Sequence, residues 1–399
     1  MVDTTRKETI LTRDFLLLTL SSLLHFLASS ATGPVLPRFV KLEFGHGETT
    51  VGFVAGCAAL GALATRPFLS QFAARRGTRT MIITGSLLSA VGLACHSFVE
   101  SVGPLYPLRI VMGMGQAAFL VGSMALAMEL APAERRGEAT SLVLVGAQIG
   151  LAFGPLLGEE ILGRSNYHGV WFSAAAGMVA AALVALAIQP PARTVQTAPA
   201  KSFHIAGVGP GAVLGIGQLG FIGFNTFVAL YGRELGMSGV GSVFFLMSVI
   251  IVLIRFFGAR LPDQLGPSVG ATIALSMTAL GLITVGATGT RGGLYLGTIG
   301  IGIGSAFLFT SLAAASTVGV ADEDRASAIA TFTIFLDLAI GLAPVVNGTI
   351  REAFDYRSMF FAAASFSLLA LALMHVIVAP RLRREQATRD HAAVAAGPT

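Results

Sequence analysis

The sequence predicts an all-α membrane protein: twelve transmembrane helices in two pseudo-symmetric six-helix bundles. Three observations carry that expectation. The chain is 54% hydrophobic and only 12% charged, with a mean hydropathy of +0.77, whereas soluble proteins carry about 25% charged residues. The charges are also unevenly spread, so that long uncharged runs alternate with short basic or mixed connectors. Each run approaches the ~20 residues that a helix needs to cross ~30 Å of hydrocarbon. Finally, the chain repeats itself without a gap at one constant offset, close to half its length. Arg66 falls on Arg255, Phe68 on Phe257, Gly77 on Gly266, Tyr106 on Tyr295, Gly113 and Gly115 on Gly302 and Gly304, Arg136 on Arg325, and Pro155 on Pro344. So long a period is no solenoid unit; it describes two related halves in the same order, the parallel-repeat layout of membrane proteins.

Taken in order, the first half gives spans at 13–37, 50–72, 80–99, 103–129, 138–161 and 168–188. The second gives 206–231, 239–260, 268–288, 292–318, 326–349 and 357–379. The first run exceeds the apolar region of a signal peptide and reads as a retained helix. These spans divide the chain into an N-terminal bundle (1–188), a linker (189–205), a C-terminal bundle (206–380) and a tail (381–399). Pro190, Pro191 and Pro199 break the linker, which is too polar to span. The tail, rich in Arg, Ala and Thr, is expected to be disordered.

Orientation follows the bias of basic residues. With a cytoplasmic amino terminus, the inner connectors and termini hold sixteen Lys and Arg and the outer connectors seven. Both termini are therefore expected on the cytoplasmic side of the inner (cytoplasmic) membrane. Arg66, Arg109 and Arg255 remain inside spans. The net charge of +5 reflects loop arginines and points to no nucleic-acid partner. Cys57 and Cys95 both lie in apolar runs and read as small buried hydrophobes.

Glycine spacing marks the fifth span. Gly146, Gly150, Gly154 and Gly158 recur every fourth residue, with Pro155 after Gly154. Small residues at that spacing clear one helix face for a close partner, and the proline bends the helix. Two readings stand: tight packing, or a hinge seam against which the opposite half rocks.

Charged groups inside apolar spans are unfavourable there and point to function. Arg109, Gln116 and Ser123 follow one another at seven-residue steps and share a helix stripe. Such a stripe faces protein or a water-filled path. Asp337, one turn after Thr333, is the one carboxylate deep in a span; burial raises a carboxylate pKa and a nearby arginine lowers it, so it suits proton exchange, cation or substrate contact, or a structural hydrogen bond. His25 sits mid-span with Ser22 and Ser29 and titrates near neutrality when unperturbed. Gln218 and Asn225, seven apart, form an amide stripe, with Phe221 and Phe224 beside them. Glu129, Glu159 and Glu160 stand at span ends, where solvation or helix capping is expected.

The sequence also lacks the marks of several function classes. No G-x-x-x-x-G-K-[ST] phosphate loop occurs, and no G-x-S-x-G elbow, metal-ligand cluster or repeated filter loop, so neither an enzyme, a cofactor protein nor a channel is expected.

From about Thr12 to Pro380 the chain resembles the major facilitator superfamily. The signature between the second and third helices of that family, G-x-L-a-D-R-x-G-R-[KR], is met at Arg75, Gly77 and Arg79, while Ser70 and Ala74 depart from it. The second copy keeps the acid, since Asp263 falls on Ala74 at the same offset. In the family this aspartate belongs to a cytoplasmic charge network, so the resemblance implies a counterpart at Asp263 with Arg135 or Arg136. The fourth-helix signature R-x-x-x-G-x-G is intact at Arg109, Gly113 and Gly115, and in relatives its arginine is implicated in proton coupling. The fifth-helix signature G-x-x-x-G-x-x-x-G-P-x-x-G-G, specific for exporters, matches through Gly158 and departs at Glu159.

The resemblance implies a secondary active transporter working by alternating access. The expectation is a monomeric, proton-coupled exporter of small amphipathic molecules such as drugs or secondary metabolites. Asp337, Arg109 and His25 would couple protons; Gln116, Gln218, Asn225, Phe221 and Phe224 would meet the substrate. An importer (symporter) of a nutrient or metabolite, or a lipid or lysolipid flippase, would share the fold.

Overall fold

The computed structural model describes residues 10–132, 135–189, 203–257, 261–321 and 324–385. The linker between 190 and 202 and the tail beyond 385 lie outside the described residues. Among the described residues there is no strand, and eleven helices are long and apolar enough to cross a membrane. A shorter apolar helix, Gly241–Ile254, takes the place of the eighth expected span.

In chain order the helices are α1 (Arg13–Ala31), α2 (Val35–Arg38), α3 (Glu48–Arg76), α4 (Thr78–His96), α5 (Leu105–Leu130), α6 (Arg136–Arg164) and α7 (Tyr167–Leu186). Then come α8 (Val208–Glu234), α9 (Gly241–Phe257), α10 (Leu261–Thr288), α11 (Arg291–Thr317), α12 (Arg325–Ala353) and α13 (Tyr356–Leu373). A π-helical turn, Phe39–Glu43, continues the first span, and another, Met374–Val378, continues the last. Helices prevail because hydrocarbon offers no partner to a bare amide, so each segment must satisfy its own backbone. Four of their starts are capped by side chains: Thr12 accepts from the Phe15 amide, Asn166 from Gly169, Thr290 from Gly293 and Asp355 from Ser358. Such caps satisfy amides that the first turn leaves open.

The chain forms two compact units, Met1–Gly45 with Cys57–Thr197, and His46–Gly56 with Ala198–Thr399. The first turns of α3 thus belong to the unit that holds the second half of the sequence. In unit 1 the core gathers Phe15, Leu18, Ile82, Phe119, Leu126 and Val143. In unit 2 it gathers Leu214, Leu275, Phe307, Leu308, Leu312 and Phe332. Large apolar side chains such as Phe68, Phe98, Leu183, Leu253 and Leu280 stay exposed, as helices bathed in lipid tails require.

The repeat is visible in the backbone. Gly77 (φ +89) and its counterpart Gly266 (φ +74) both adopt a positive φ. Each turns the chain sharply, before α4 in one copy and within α10 in the other. Packing repeats too. Gly113 of α5 lies against the Ala58 carbonyl, and its counterpart Gly302 lies near the carbonyl of Met247, the counterpart of Ala58.

The expected disorder from Arg381 onward does not hold for its first residues. The chain remains helical to 385, because the Arg381 guanidinium donates to the carbonyls of Ala206 (2.8 Å) and Val318 (3.2 Å). Leu382 is buried beside it.

Candidate functional site

The glycine seam of α6 comes first, because it positions α1. Each of its glycines abuts α1 of the same unit: Gly146 meets Thr19, Gly150 meets Leu23 and Leu27, Gly154 meets Leu27 and Ser30, and Gly158 meets Ala31. Ser30 Oγ also donates to the Gly150 carbonyl at 3.0 Å. The seam is therefore a packing surface inside unit 1. Unit 2 reverses the parts. Its counterpart helix α12 carries the bulky Phe335 and Asn347, and the small residues are Gly211, Gly215 and Gly223 on α8. Asn347, fully buried, donates to the carbonyls of Leu219 on α8 (3.0 Å) and Ala343 (2.8 Å).

In unit 1 the polar stripe of α5 divides along its length. Arg109 is half-buried and points Nη1 to the sulfur of Met112 at 3.3 Å. Gln116 donates to the Ser29 hydroxyl of α1. Ser123 is enclosed. His25 is enclosed as well, on α1 against Ser86 of α4 and the ring of Phe119. The stripe thus leads from a half-buried arginine into the sealed interior of the bundle.

In unit 2, Asp337 of α12 is half-buried, one turn after Thr333. On α8, Gln218, Phe221 and Asn225 are half-buried, and Asn225 donates to the Phe221 carbonyl at 2.8 Å. Phe224 differs from the expectation of a substrate-contacting aromatic. It is completely enclosed, its ring 6.2 Å from that of Phe360, whereas Phe221, one turn earlier, is only half-buried.

Among the signature residues, Arg75 is exposed at the end of α3 and Gly77 makes the turn. Arg79 donates to the Leu186 carbonyl at the end of α7. Arg135 forms a two-bond pair with Glu138 (2.9 and 2.8 Å), and that acceptor raises its pKa further above the usual arginine range. Asp263 lies on α10, but its side chain, like that of Arg255, is outside the described residues.

Two groupings escaped the sequence reading. Glu159, expected to be solvated or capping, is buried and ion-paired to Arg38 at 3.0 Å. The available signal was its departure from the fifth-helix glycine pattern. In unit 2, Glu48 is buried near Arg351 (3.5 Å) and the Tyr356 hydroxyl (3.4 Å). Arg351 lies over the Tyr356 ring at 4.2 Å, and Glu352 accepts from the Thr49 amide at 2.8 Å. No local pattern announces this cluster, since its members come from opposite halves of the sequence.

Two repeated helical units with ionisable and amide side chains inside apolar helices define a multi-pass membrane protein of the carrier type. The sequence model of the Major Facilitator Superfamily matches residues 18–320 and 219–397, and the chain belongs to that family of transporters. It is 26% identical over 367 residues to an uncharacterised MFS-type transporter of Salmonella typhimurium, covering 89% of this chain and 94% of that one. Among solved structures it resembles a bacterial homologue of the human lysosomal transporter Spinster, with a TM-score of 0.76 and 15% identity over 92% of this chain and 97% of that one. The nucleoside transporter NupG is similar at a TM-score of 0.73 and 15% identity, covering 92% and 100%. At that identity these two likenesses concern the fold alone.

Proposed function

We propose that this transporter is a proton-coupled exporter of small amphipathic molecules, working by alternating access as a monomer in the cytoplasmic membrane with both termini inside. The observation that carries the reading is Asp337: a carboxylate in the middle of an apolar helix, half-buried as a residue, with its Oδ2 enclosed. An ionised carboxylate so placed is unfavourable in hydrocarbon, and taking up a proton would neutralise it. Arg109 of α5, also half-buried, is the second proposed coupling group. His25 is the third group, reached only through the bundle interior. Gln116, Gln218, Asn225 and Phe221 are the proposed substrate contacts. A mainly apolar lining with a few amides suits loose recognition by area burial. The exporter-type signature of α6 supports the outward direction.

Everted membrane vesicles test the reading. With an imposed gradient, acid inside, the wild type should accumulate an amphipathic dye, and Asp337→Asn should not. Accumulation by Asp337→Asn equal to wild type across about pH 6–8, the range around the histidine pKa, would refute the coupling. Accumulation only under the opposite gradient would mark an importer.

A further inference from the structure

The interior of unit 1 holds a polar cluster that its repeat lacks. The His25 ring lies flat on Phe119, with centroids 3.7 Å apart and planes 3° apart. Its Nδ1 is 3.0 Å from Ser86 Oγ, and the Ser86 hydroxyl donates to the Met178 carbonyl of α7 at 2.8 Å. A hydroxyl has one hydrogen, and a carbonyl can only accept. With that hydrogen given to Met178, Ser86 accepts from His25, so the proton of the neutral ring sits on Nδ1 and Nε2 is a bare acceptor. Among the described residues Nε2 has no hydrogen-bond partner, and neither has the hydroxyl of Ser22 or of Ser123. Ser22 and His25 are 0% exposed and Ser123 is 1% exposed.

Spacing along the helices puts the two serines one turn from the His25–Phe119 stack, on the same side of it. Ser22 precedes His25 by three residues on α1, and Ser123 follows Phe119 by four on α5. As first and fourth spans, α1 and α5 run in opposite directions, so both serines step the same way from the His25–Phe119 stack.

At the offset of the repeat, His25, Ser86, Phe119 and Ser123 become Leu214, Leu275, Leu308 and Leu312, and Ser22 becomes Gly211. All four leucines belong to the apolar core of unit 2. The helices therefore pack at this place without polar groups. Burial of a polar atom is unfavourable unless it is hydrogen-bonded, so the cluster in unit 1 calls for a partner that can both donate and accept.

We propose that Ser22, His25 and Ser123 form a binding site for one water molecule inside unit 1. The water donates to Nε2 of His25 and accepts from the two serine hydroxyls. It thereby makes three hydrogen bonds, the usual number for a buried water, and completes all three side chains. This site goes beyond the export reading and does not rest on it.

Nitrogen-15 histidine NMR of the full-length protein in lipid nanodiscs tests it, with the His25 signal assigned by its loss in His25→Leu. The wild type should show the Nδ1–H tautomer, with Nε2 accepting a hydrogen bond and receiving magnetisation from a long-lived water. The double variant Ser22→Ala with Ser123→Ala should lose that transfer while keeping its gel-filtration profile. A wild-type spectrum with no transfer, with the proton on Nε2, or with both nitrogens protonated at neutral pH overturns the proposal. The wild-type spectrum decides the matter even where the double variant does not fold.

Discussion

Nη1 of Arg38 lies 3.0 Å from Oε2 of Glu159, and the two side chains are only 5% and 8% exposed. The pair ties the end of α2 to α6, one residue beyond the last glycine of the seam. Two charges removed from water are tolerable only together, because the desolvation of either one alone is uncompensated. Glu159→Gln or Arg38→Met should each destabilise the protein by about 3–5 kcal/mol, the usual range for breaking a buried pair from one side. The double variant Arg38→Met with Glu159→Leu should recover most of that loss. Melting of the purified variants in detergent checks it; a double variant as unstable as the sum of the singles would show that the pair is not the cause.

The pair also shows where sequence reading stops. The number of helices, the repeat, the turn glycines Gly77 and Gly266 and the prolines Pro155 and Pro344 are all legible, because each is a local constraint on backbone or length. What is not legible is which face of a helix meets which neighbour. In a soluble helix the apolar stripe marks the buried side, but a lipid-bathed helix is apolar on every side and its protein-facing side is marked only by small or polar residues. Gly146 to Gly158 declare a seam without saying that α1 fills it. Glu159 stands among span-end acids until folding brings Arg38, distant in sequence, beside it. Phe221 and Phe224 look alike in sequence, and only packing against Phe360 separates them.

The seam yields a second prediction, from the exchange of small and large residues between the copies. A Cβ on Gly150 would lie 2.5 Å from the Leu23 carbonyl oxygen and 2.7 Å from the Leu27 amide. Both are backbone atoms, so α1 itself would have to move. A Cβ on Gly211 would instead lie 2.5 Å from Cδ2 of Phe335, an atom of a side chain. Overpacking of this kind costs about 1–3 kcal/mol. Phe335→Leu should therefore rescue Gly211→Ala, whereas Leu23→Ala should not rescue Gly150→Ala. Expression and melting temperature of the four variants decide it, and equal rescue in both units would contradict the packing described.

The matching turns give a third. Gly77 has φ +89 and ψ 153, and Gly266 has φ +74 and ψ 161, a region open to glycine almost alone. Among the described residues nothing lies within 4 Å of where a Cβ would stand at either position, so the penalty expected for alanine there is one of backbone conformation. Gly77→Ala and Gly266→Ala should each cost about 1–3 kcal/mol. Gly163→Ala, in equally open space near the end of α6, needs no positive φ and should be neutral or slightly stabilising. If all three substitutions behave alike in thermal melts, backbone strain is not what those glycines relieve.

The starts of α7 and α13 are counterparts in the repeat with one chemical difference, which makes a pH prediction. Asn166 accepts the Gly169 amide at 3.0 Å, and its counterpart Asp355 accepts the Ser358 amide at 2.7 Å. That amide, then the Ser358 hydroxyl, and with them Arg357 and Arg351, hold the Asp355 carboxyl below the usual carboxylate range. A carboxylate favoured by the folded state stabilises it fully above the ordinary aspartate pKa, and the gain is lost as pH falls through the lowered folded value. The cap of α13 should therefore weaken only on the acid side, while the neutral amide capping α7 should not respond. Asp355→Asn keeps a cap and should remove this part of the acid sensitivity. Asp355→Ala should lose about 1 kcal/mol at neutral pH, as a missing N-cap does. Melting temperatures followed from about pH 7 to about pH 3, across the carboxylate range, separate these variants; identical acid slopes for wild type and Asp355→Asn would remove Asp355 as the cause.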